Sequence, residues 1–274
     1  MDGPSGHDLE VDLQTGRAHG ARIYDYVLGG KDNYAPDRAA AEAAMSTFPT
    51  LQISMRSNRA FMHRVGRFLA ADRGIRQFLD IGTGIPTSPN LHEVVQAVAP
   101  SARIVYTDND PIVLAHARAL MRSAPEGRTT YVQSDLRDPD AILAAPQVTD
   151  TLDLSEPVGL LAIAVLHFID DEDEAHRVVR RLLDAMPSGS YFALSTATGD
   201  FDPAGTATVE RAYRERGEVL KHRTKAQVER FFEGWELLEP GVVQVHKWRP
   251  DDFAAALVQH DSDVALLGGV ARKP

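Results

Sequence analysis

Gln77–Thr87 reads QFLDIGTGIPT. Phe78, Leu79 and Ile81 make a short apolar run, and two glycines one residue apart follow it. The pattern reads as a buried strand running into a tight glycine turn, where the backbone can come close to a ligand. Downstream the same alternation repeats. Arg103–Asp108 (RIVYTD), Thr130–Gln133, Val158–Leu166 and Ser190–Thr198 read as strands. Helices are expected at Pro89–Ala99, at Pro111–Arg122 (with Asp110 as cap), at Asp138–Ala145 and at Glu172–Met186. About five β-α units predict an α/β fold, with a parallel sheet covered by helices on both faces.

The last third departs from this rhythm. Thr208–Val219 and Thr224–Phe232 read as helices, and Trp235–Leu238 and Val264–Val270 as strands. They suggest a hairpin-like closing pair at the sheet edge. Upstream, Ala21–Arg38 (ARIYDYVLGGKDNYAPDR) starts as a helix, breaks at Gly29-Gly30 and resumes near Pro36. Asp37–Thr47 reads as helix. Ser57 or Asn58 is expected to cap another, whose Phe61, Met62, Val65, Phe68 and Leu69 share one face. The predicted organisation is a mobile tail over 1–20, a helical cap over 21–76 and an α/β domain over 77–274.

Composition bounds the function classes. The 274 residues are 43% hydrophobic and 25% charged, ordinary globular usage. The chain has no cysteine, which excludes disulfides, thiolate metal sites and a cysteine nucleophile. No apolar run is long enough to span a membrane, and the polar, acidic N-terminus does not read as a secretory signal. A soluble, cytoplasmic protein is expected. Net charge is −10, a poor match for a nucleic-acid backbone. Residues 21–76 carry a local excess of basic groups, suited either to docking on the acidic body or to meeting an anionic ligand group.

In an open α/β sheet, ligands bind at the carboxyl ends of the strands. The first strand end offers Asp80, Gly82, Thr83 and Gly84, with free N–H groups expected at the following helix start for an anionic or polar ligand end. A dinucleotide fingerprint wants a glycine where Thr87 stands. The second strand ends in Asp108, 24 residues beyond Gly84, where a carboxylate can accept two hydrogen bonds from a ribose diol. The third leads to Asp135 and Leu136, suited either to an adenine edge or to a simple turn. The fourth leads to His167, which is either a catalyst or a structural histidine. Together these describe a nucleoside cofactor. No P-loop, nucleophilic-serine elbow or H-E-x-x-H motif is present, and no metal site is expected.

FLDIGTGIPT, VYTDNDP, SDLRDP and AVLHFIDD resemble the class I S-adenosylmethionine-dependent methyltransferases. ARIYDYVLGGKDNYAPDR, MRSNRAFMHR, PGVVQVHKWRP and GGVARKP are similar to one family among them, the S-adenosyl methyltransferases known mainly from actinobacteria and long catalogued as a domain of unknown function. The resemblance runs from about Ala21 to Pro274. It implies a Rossmann-like, seven-stranded, mostly parallel sheet with an antiparallel last strand, and S-adenosyl-L-methionine as cofactor. It also implies that Asp80, Gly82 and Gly84 contact the methionine part, Asp108 the ribose, Asn109 the adenine face and Asp135 and Leu136 its edge. Ala164 to His167, Leu166 included, would border the sulfonium. Pro86 and Thr87 replace the third small residue many class I members carry.

With that cofactor, Arg56 or Arg59 can pair with its carboxylate. Tyr24 or Tyr34 can face the sulfonium, a cation–π contact worth roughly 0.5–2 kcal/mol. His167 and Tyr24 are the candidate catalytic residues, with Asp25 and Tyr34 as further possible bases. The expected activity is methyl transfer to a small-molecule acceptor, in a pocket framed by the N-terminal segment and the charged 199–223 region, with no nucleic-acid or membrane partner. The rivals are a non-catalytic S-adenosylmethionine sensor and a NAD-dependent oxidoreductase.

Overall fold

In the computed structural model, which describes residues 15–120, 123–215 and 219–274, QFLDI forms the central strand β1 (Gln77–Ile81). All five of its residues are buried. Three helices precede it: α1 (Gly20–Val27), α2 (Ala35–Thr47) and α3 (Leu51–Ala71). After β1 come α4 (Leu91–Gln96), β2 (Arg103–Asp108), α5 (Pro111–Leu120), β3 (Arg128–Gln133), α6 (Pro139–Ala144), α7 (Pro146–Thr149), β4 (Gly159–Ile163), α8 (Glu172–Ala185) and β5 (Tyr191–Ala197). The C-terminal part holds α9 (Pro203–Glu215), α10 (Lys225–Arg230), β6 (Glu236–Leu237), β7 (Val243–Gln244), α11 (Asp252–Leu257) and β8 (Leu266–Arg272).

The sheet order is β3-β2-β1-β4-β5-β8-β6, with β7 also paired to β8. Strands β1 to β5 are parallel, and β8 runs antiparallel to β5, β6 and β7. The Rossmann-like methyltransferase arrangement is therefore present. Its seventh position is filled by two short strands lying end to end along β8, so the sheet counts eight strands rather than seven.

The period-two alternation of the strands feeds two cores. Leu79, Ile81, Leu160 and Ala162 pack with α6, α8 and α10. Phe78, Ile104, Tyr106 and Leu161 pack on α3, through Phe61, Val65, Phe68 and Leu69, and on the fully buried Trp248. Helix α3 thus belongs to the helical layer of the sheet. A small separate cluster of Ile23, Val27, Ala40 and Ala41 joins α1 to α2 and rests on Leu51 and Met55.

Several local expectations need correction. Ser57 and Asn58 do not cap α3; Thr50 does, and both lie buried inside the helix. They are polar because the helix reaches across the fold: Asn58 Oδ1 accepts from Ser195 Oγ at 2.6 Å. Helix α4 is shorter than expected, because the chain bends at Ser88-Pro89 and Asn90 caps the helix. Helix α9 begins five residues early, where Asp202 accepts from the Gly205 N–H. Residues 121–122 and 216–218, inside two expected helices, lie outside the described residues, as do residues 1–14 of the expected tail. The rest of that tail, residues 15–20, is placed. His19 caps α1, and its N–H donates to Asp37 at 2.8 Å. Among the described residues no helix is long and apolar enough to cross a membrane.

Candidate active site

The carboxyl ends of β1, β2, β4 and β5, together with the turn after β3, open into one cavity of about 520 Å³. It sits where the strand order reverses, between β1 and β4, and α1, α2, α3 and α9 close its other sides. Its size falls in the range of small-molecule sites.

The glycine turn builds its floor. Gly82 and Thr83 donate to Thr107 O at 2.8 and 3.0 Å, which pins the turn to β2. Gly82 has φ +71°, and a Cβ there would overlap Val165. Gly84 has φ +70° and only Ala21 near its missing Cβ, so the backbone lies open to the cavity. The expected free N–H groups are not offered by α4. Its N-terminus is closed by the Asn90–Glu93 capping box, and Gly84 N–H is already given to Asp108 Oδ2 at 2.8 Å.

Asp108 is buried on the wall at the end of β2. Its other oxygen, Oδ1, accepts from the Asp110 N–H at 2.9 Å. Each oxygen keeps a second lone pair for a ligand hydroxyl. Burial raises the carboxyl pKa, partly offset by these two N–H groups. Asp80 is also buried, and burial pushes its carboxyl up to about 7, against a hydrogen bond from Thr83. Nearby Asp108 raises it further and Arg59 lowers it.

The other predicted residues divide. Tyr24, Arg59, Thr83, Asn109, Asp135, Leu136, Ala164 and His167 all reach the cavity. Arg56 and Leu166 do not. On α3 the cavity face is Met55, Asn58, Arg59 and Met62, at helical spacing, and Arg56 is turned off it onto the exposed side. Leu166 is fully buried in the core under α8. Ala164 ends β4 in the left-handed region (φ +56°), which starts the turn that carries His167 to the wall. Asp135 serves its own turn as well, since its Oδ1 accepts from Arg137 N–H at 2.8 Å.

Neither candidate base has the geometry of one. Tyr24 donates its phenol proton to Met55 O at 3.0 Å, and burial raises its pKa. His167 is 7% exposed, and burial drives its pKa down to about 3, with His222 and Arg223 adding to the fall. Its Nδ1 faces the Ala197 N–H at 3.4 Å and must accept, so the neutral ring carries its proton on Nε2 and has no free lone pair. Asp25 and Tyr34 are outside the cavity. Asp25 is wrapped by the Gly29-Gly30 turn, accepting from Asp32 N–H and Asn33 Nδ2. Tyr34 lies under the Arg22 guanidinium.

The basic N-terminal segment docks by charge. Arg22, 1% exposed, donates through Nε and Nη2 to the two oxygens of buried Asp110 at 2.8 and 2.9 Å. Asp110 also caps α5, accepting from Ile112 N–H at 3.0 Å. Sequence reasoning missed His222, which lines the cavity, and its partner Glu210 on α9. A histidine preceding a helix cap and a glutamate on a charged helix carry no spacing signal.

Over residues 6–274 the chain matches the S-adenosyl methyltransferase family. It belongs to that family. This methyltransferase is 55% identical to a DUF574 family protein from Streptomyces avermitilis, with a TM-score of 0.92 over 96% of this chain and 100% of that one. It is 40% identical to a candidate methyltransferase from Thermobifida fusca, with a TM-score of 0.87 over 95% and 97%. The plantazolicin methyltransferase BpumL, solved with S-adenosylhomocysteine, shares the fold at 11% identity and a TM-score of 0.52, over 93% and 95%. A search of the curated proteins finds no match. The methyltransferase thus has the class I fold and S-adenosylmethionine as its cofactor.

Proposed function

We propose that the cavity is a methyl-transfer site for a small-molecule acceptor, with the cofactor held on the side of β1, β2 and β3. The observation that carries this reading is Asp108. Its buried carboxylate is aimed by the Gly84 and Asp110 N–H groups, and each oxygen retains acceptor capacity for a ribose diol. Asn109 and Leu136 flank the place for the base, and Asp135 offers its edge a carboxylate. The open backbone at Gly84 admits the methionine part beside Asp80, which suits its ammonium group. Arg59 holds the loop through Thr87 O and Pro89 O with Nη2, and its remaining donors suit the cofactor carboxylate.

S-adenosylmethionine supplies an already activated methyl group. The protein's task is alignment and exclusion of water. Tyr24, held by Met55 and Asn58, presents its ring to the cavity where a sulfonium is favoured. The far side, lined by Phe48, Leu51, Phe201 and Val209, is apolar and takes the acceptor.

Calorimetric titration with S-adenosylhomocysteine and, in parallel, NAD(H) tests the reading. The S-adenosyl compound is expected to bind and NAD(H) is not. Asp108→Ala is expected to lose two buried charge-assisted contacts, about 3 kcal/mol or roughly a hundredfold in affinity, while remaining folded by circular dichroism. Unchanged affinity in that variant removes the ribose assignment.

A further inference from the structure

We propose that His222, oriented by Glu210, is the general base of this cavity, and that the acceptor is an apolar, aromatic molecule bearing a weakly acidic hydroxyl. The inference rests on the methyl-transfer reading above. Glu210 Oε1 accepts both from the His222 backbone N–H at 2.8 Å and from His222 Nδ1 at 3.1 Å. Hydrogen bonds from His222 outweigh burial and hold the Glu210 carboxyl below its usual range, so it is ionised and can only accept. The proton of the ring therefore sits on Nδ1. Burial lowers the His222 pKa in spite of Glu210, so the ring is neutral near pH 7 and Nε2 is bare. His222 is one of the residues lining the cavity. This is the tautomer opposite to that of His167, whose Nε2 carries the proton.

The backbone fixes where His222 stands. Its neighbours are stitched to the ends of two strands: Lys221 N–H donates to His167 O at 2.8 Å, and Arg223 N–H to Ala197 O at 2.9 Å. The charged and titratable groups around it include Glu210 from α9, His167 from the turn after β4, and Lys221 and Arg223 in its own segment, while Asp202 and Tyr213 line the same cavity from the α9 side. Lys221 faces Asp170 at 3.9 Å, and Arg223 is bound to Glu172 at 2.9 Å. Neither is aimed as a counter-ion for a carboxylate acceptor.

A base of this kind, in a cavity with an apolar, aromatic wall, narrows the acceptor class. A carboxylate is already ionised near neutral pH and needs none. An amine attacks with its own lone pair and sheds its proton afterwards. A hydroxyl is a weak nucleophile until its proton is being removed. In the step proposed, the hydroxyl proton passes to His222 Nε2 while the oxygen forms its bond to the methyl carbon. The sulfur–methyl bond breaks, and its electron pair stays on sulfur. Phe48, Phe201 and Tyr213 line the cavity and suit an aromatic skeleton.

The test uses the full chain loaded with S-adenosylhomocysteine and labelled with nitrogen-15 at histidine. Near pH 7, one neutral ring is expected with its proton on Nδ1, a signal absent from His222→Gln. In Glu210→Gln that proton is expected to shift toward Nε2. A His222 ring protonated on Nε2, or on both nitrogens, overturns the proposal. In the second arm, 4-nitrophenol is added as acceptor surrogate and its phenolate absorbance followed below its own pKa. The loaded protein is expected to raise the phenolate fraction about tenfold, because His222 Nε2 takes the phenol proton and the imidazolium so formed pairs with the phenolate, and His222→Gln to abolish the rise. No rise in the loaded wild type, or an equal rise in the variant, overturns the proposal. If the wild type fails to bind S-adenosylhomocysteine, the cavity reading falls and takes this one with it. If it binds but the histidine and phenol arms fail, only the base and acceptor assignment falls.

Discussion

Burial ties the Asp80 carboxyl, on the cavity wall, to the pH dependence of the fold. Its ordinary pKa is 3.8, and burial pushes it up to about 7 in the fold. Between those values the folded chain holds a proton that the unfolded chain has released. The contribution of Asp80 to the stability of the ligand-free protein should therefore be fully present below about pH 4 and be lost as pH rises toward 7. Asp108 is shifted in the same direction and shares this slope. Asp80→Asn should flatten part of it, so thermal melts between pH 5 and 8 should show the variant gaining on the wild type. The same variant should bind S-adenosylhomocysteine more weakly. In the wild type, affinity should rise through pH 7 and binding should release protons, seen by calorimetry in buffers of different ionisation enthalpy. Gly82→Ala should cost roughly 1–3 kcal/mol, from a left-handed backbone and from overlap with Val165. Chemical denaturation checks it. The placement of Asp108, Gly82 and Gly84 on the cavity was legible because the strand ends of this fold converge on one edge of the sheet. Leu166 was misplaced because position along a strand end does not tell which way a side chain turns. Arg56 was misplaced because two arginines three residues apart on one helix were treated as equivalent, although only one shares the cavity face.

At the scale of elements, α3 carries the lesson. Its apolar face was read correctly, and its start was not, because Ser57 and Asn58 look like caps but serve long-range contacts. Asn58 joins α1 to β5, donating to Tyr24 Oη and accepting from Ser195 Oγ. Asn58→Leu should cost about 1–3 kcal/mol by leaving buried partners unpaired. It should also weaken S-adenosylhomocysteine binding, since Tyr24 loses one of its two anchors. The polar groups of the ARIYDYVLGGKDNYAPDR stretch mostly hold that stretch together, as Asp25, Asn33, Asp37 and Arg38 show. A sequence lists donors and acceptors without saying whether they are spent locally. The buried Arg22–Asp110 pair is different, because it fastens α1 beside Asp108. Arg22→Met strips the guanidinium from a buried carboxylate and should cost about 3–5 kcal/mol, whereas Arg22→Met with Asp110→Asn should recover part of it. Denaturant melts of the single and double variants decide this.

Across the whole molecule, the parallel core and its two faces followed from β-α alternation. The outer wall of the cavity comes from α1, α2 and α9, within the N-terminal segment and the charged 199–223 region expected to frame it, but no periodicity told which of their residues face inward. Helices α1 and α2 rest on one small cluster, while β1, β4 and β5 lie in the two large cores. Hydrogen exchange should therefore be slowest in β1, β4 and β5 and fastest in α1 and α2, and S-adenosylhomocysteine should slow it in α1. Uniform protection of all elements without ligand contradicts this.

The placement of β8 has a consequence for how the enzyme is made. Translation delivers this strand after every other, yet it lies inside the sheet, against the whole length of β5. Until it arrives, β5 keeps an open edge, and β6 and β7 have nothing to pair with. Ala197 and Leu266, partners in that last pairing, both face the cavity. A nascent chain can therefore assemble β1 to β4 early and still lack a finished pocket. Its ability to engage ligand switches on in one late event, and a premature stop upstream of Leu266 should yield a chain prone to edge-to-edge aggregation rather than a partly active one.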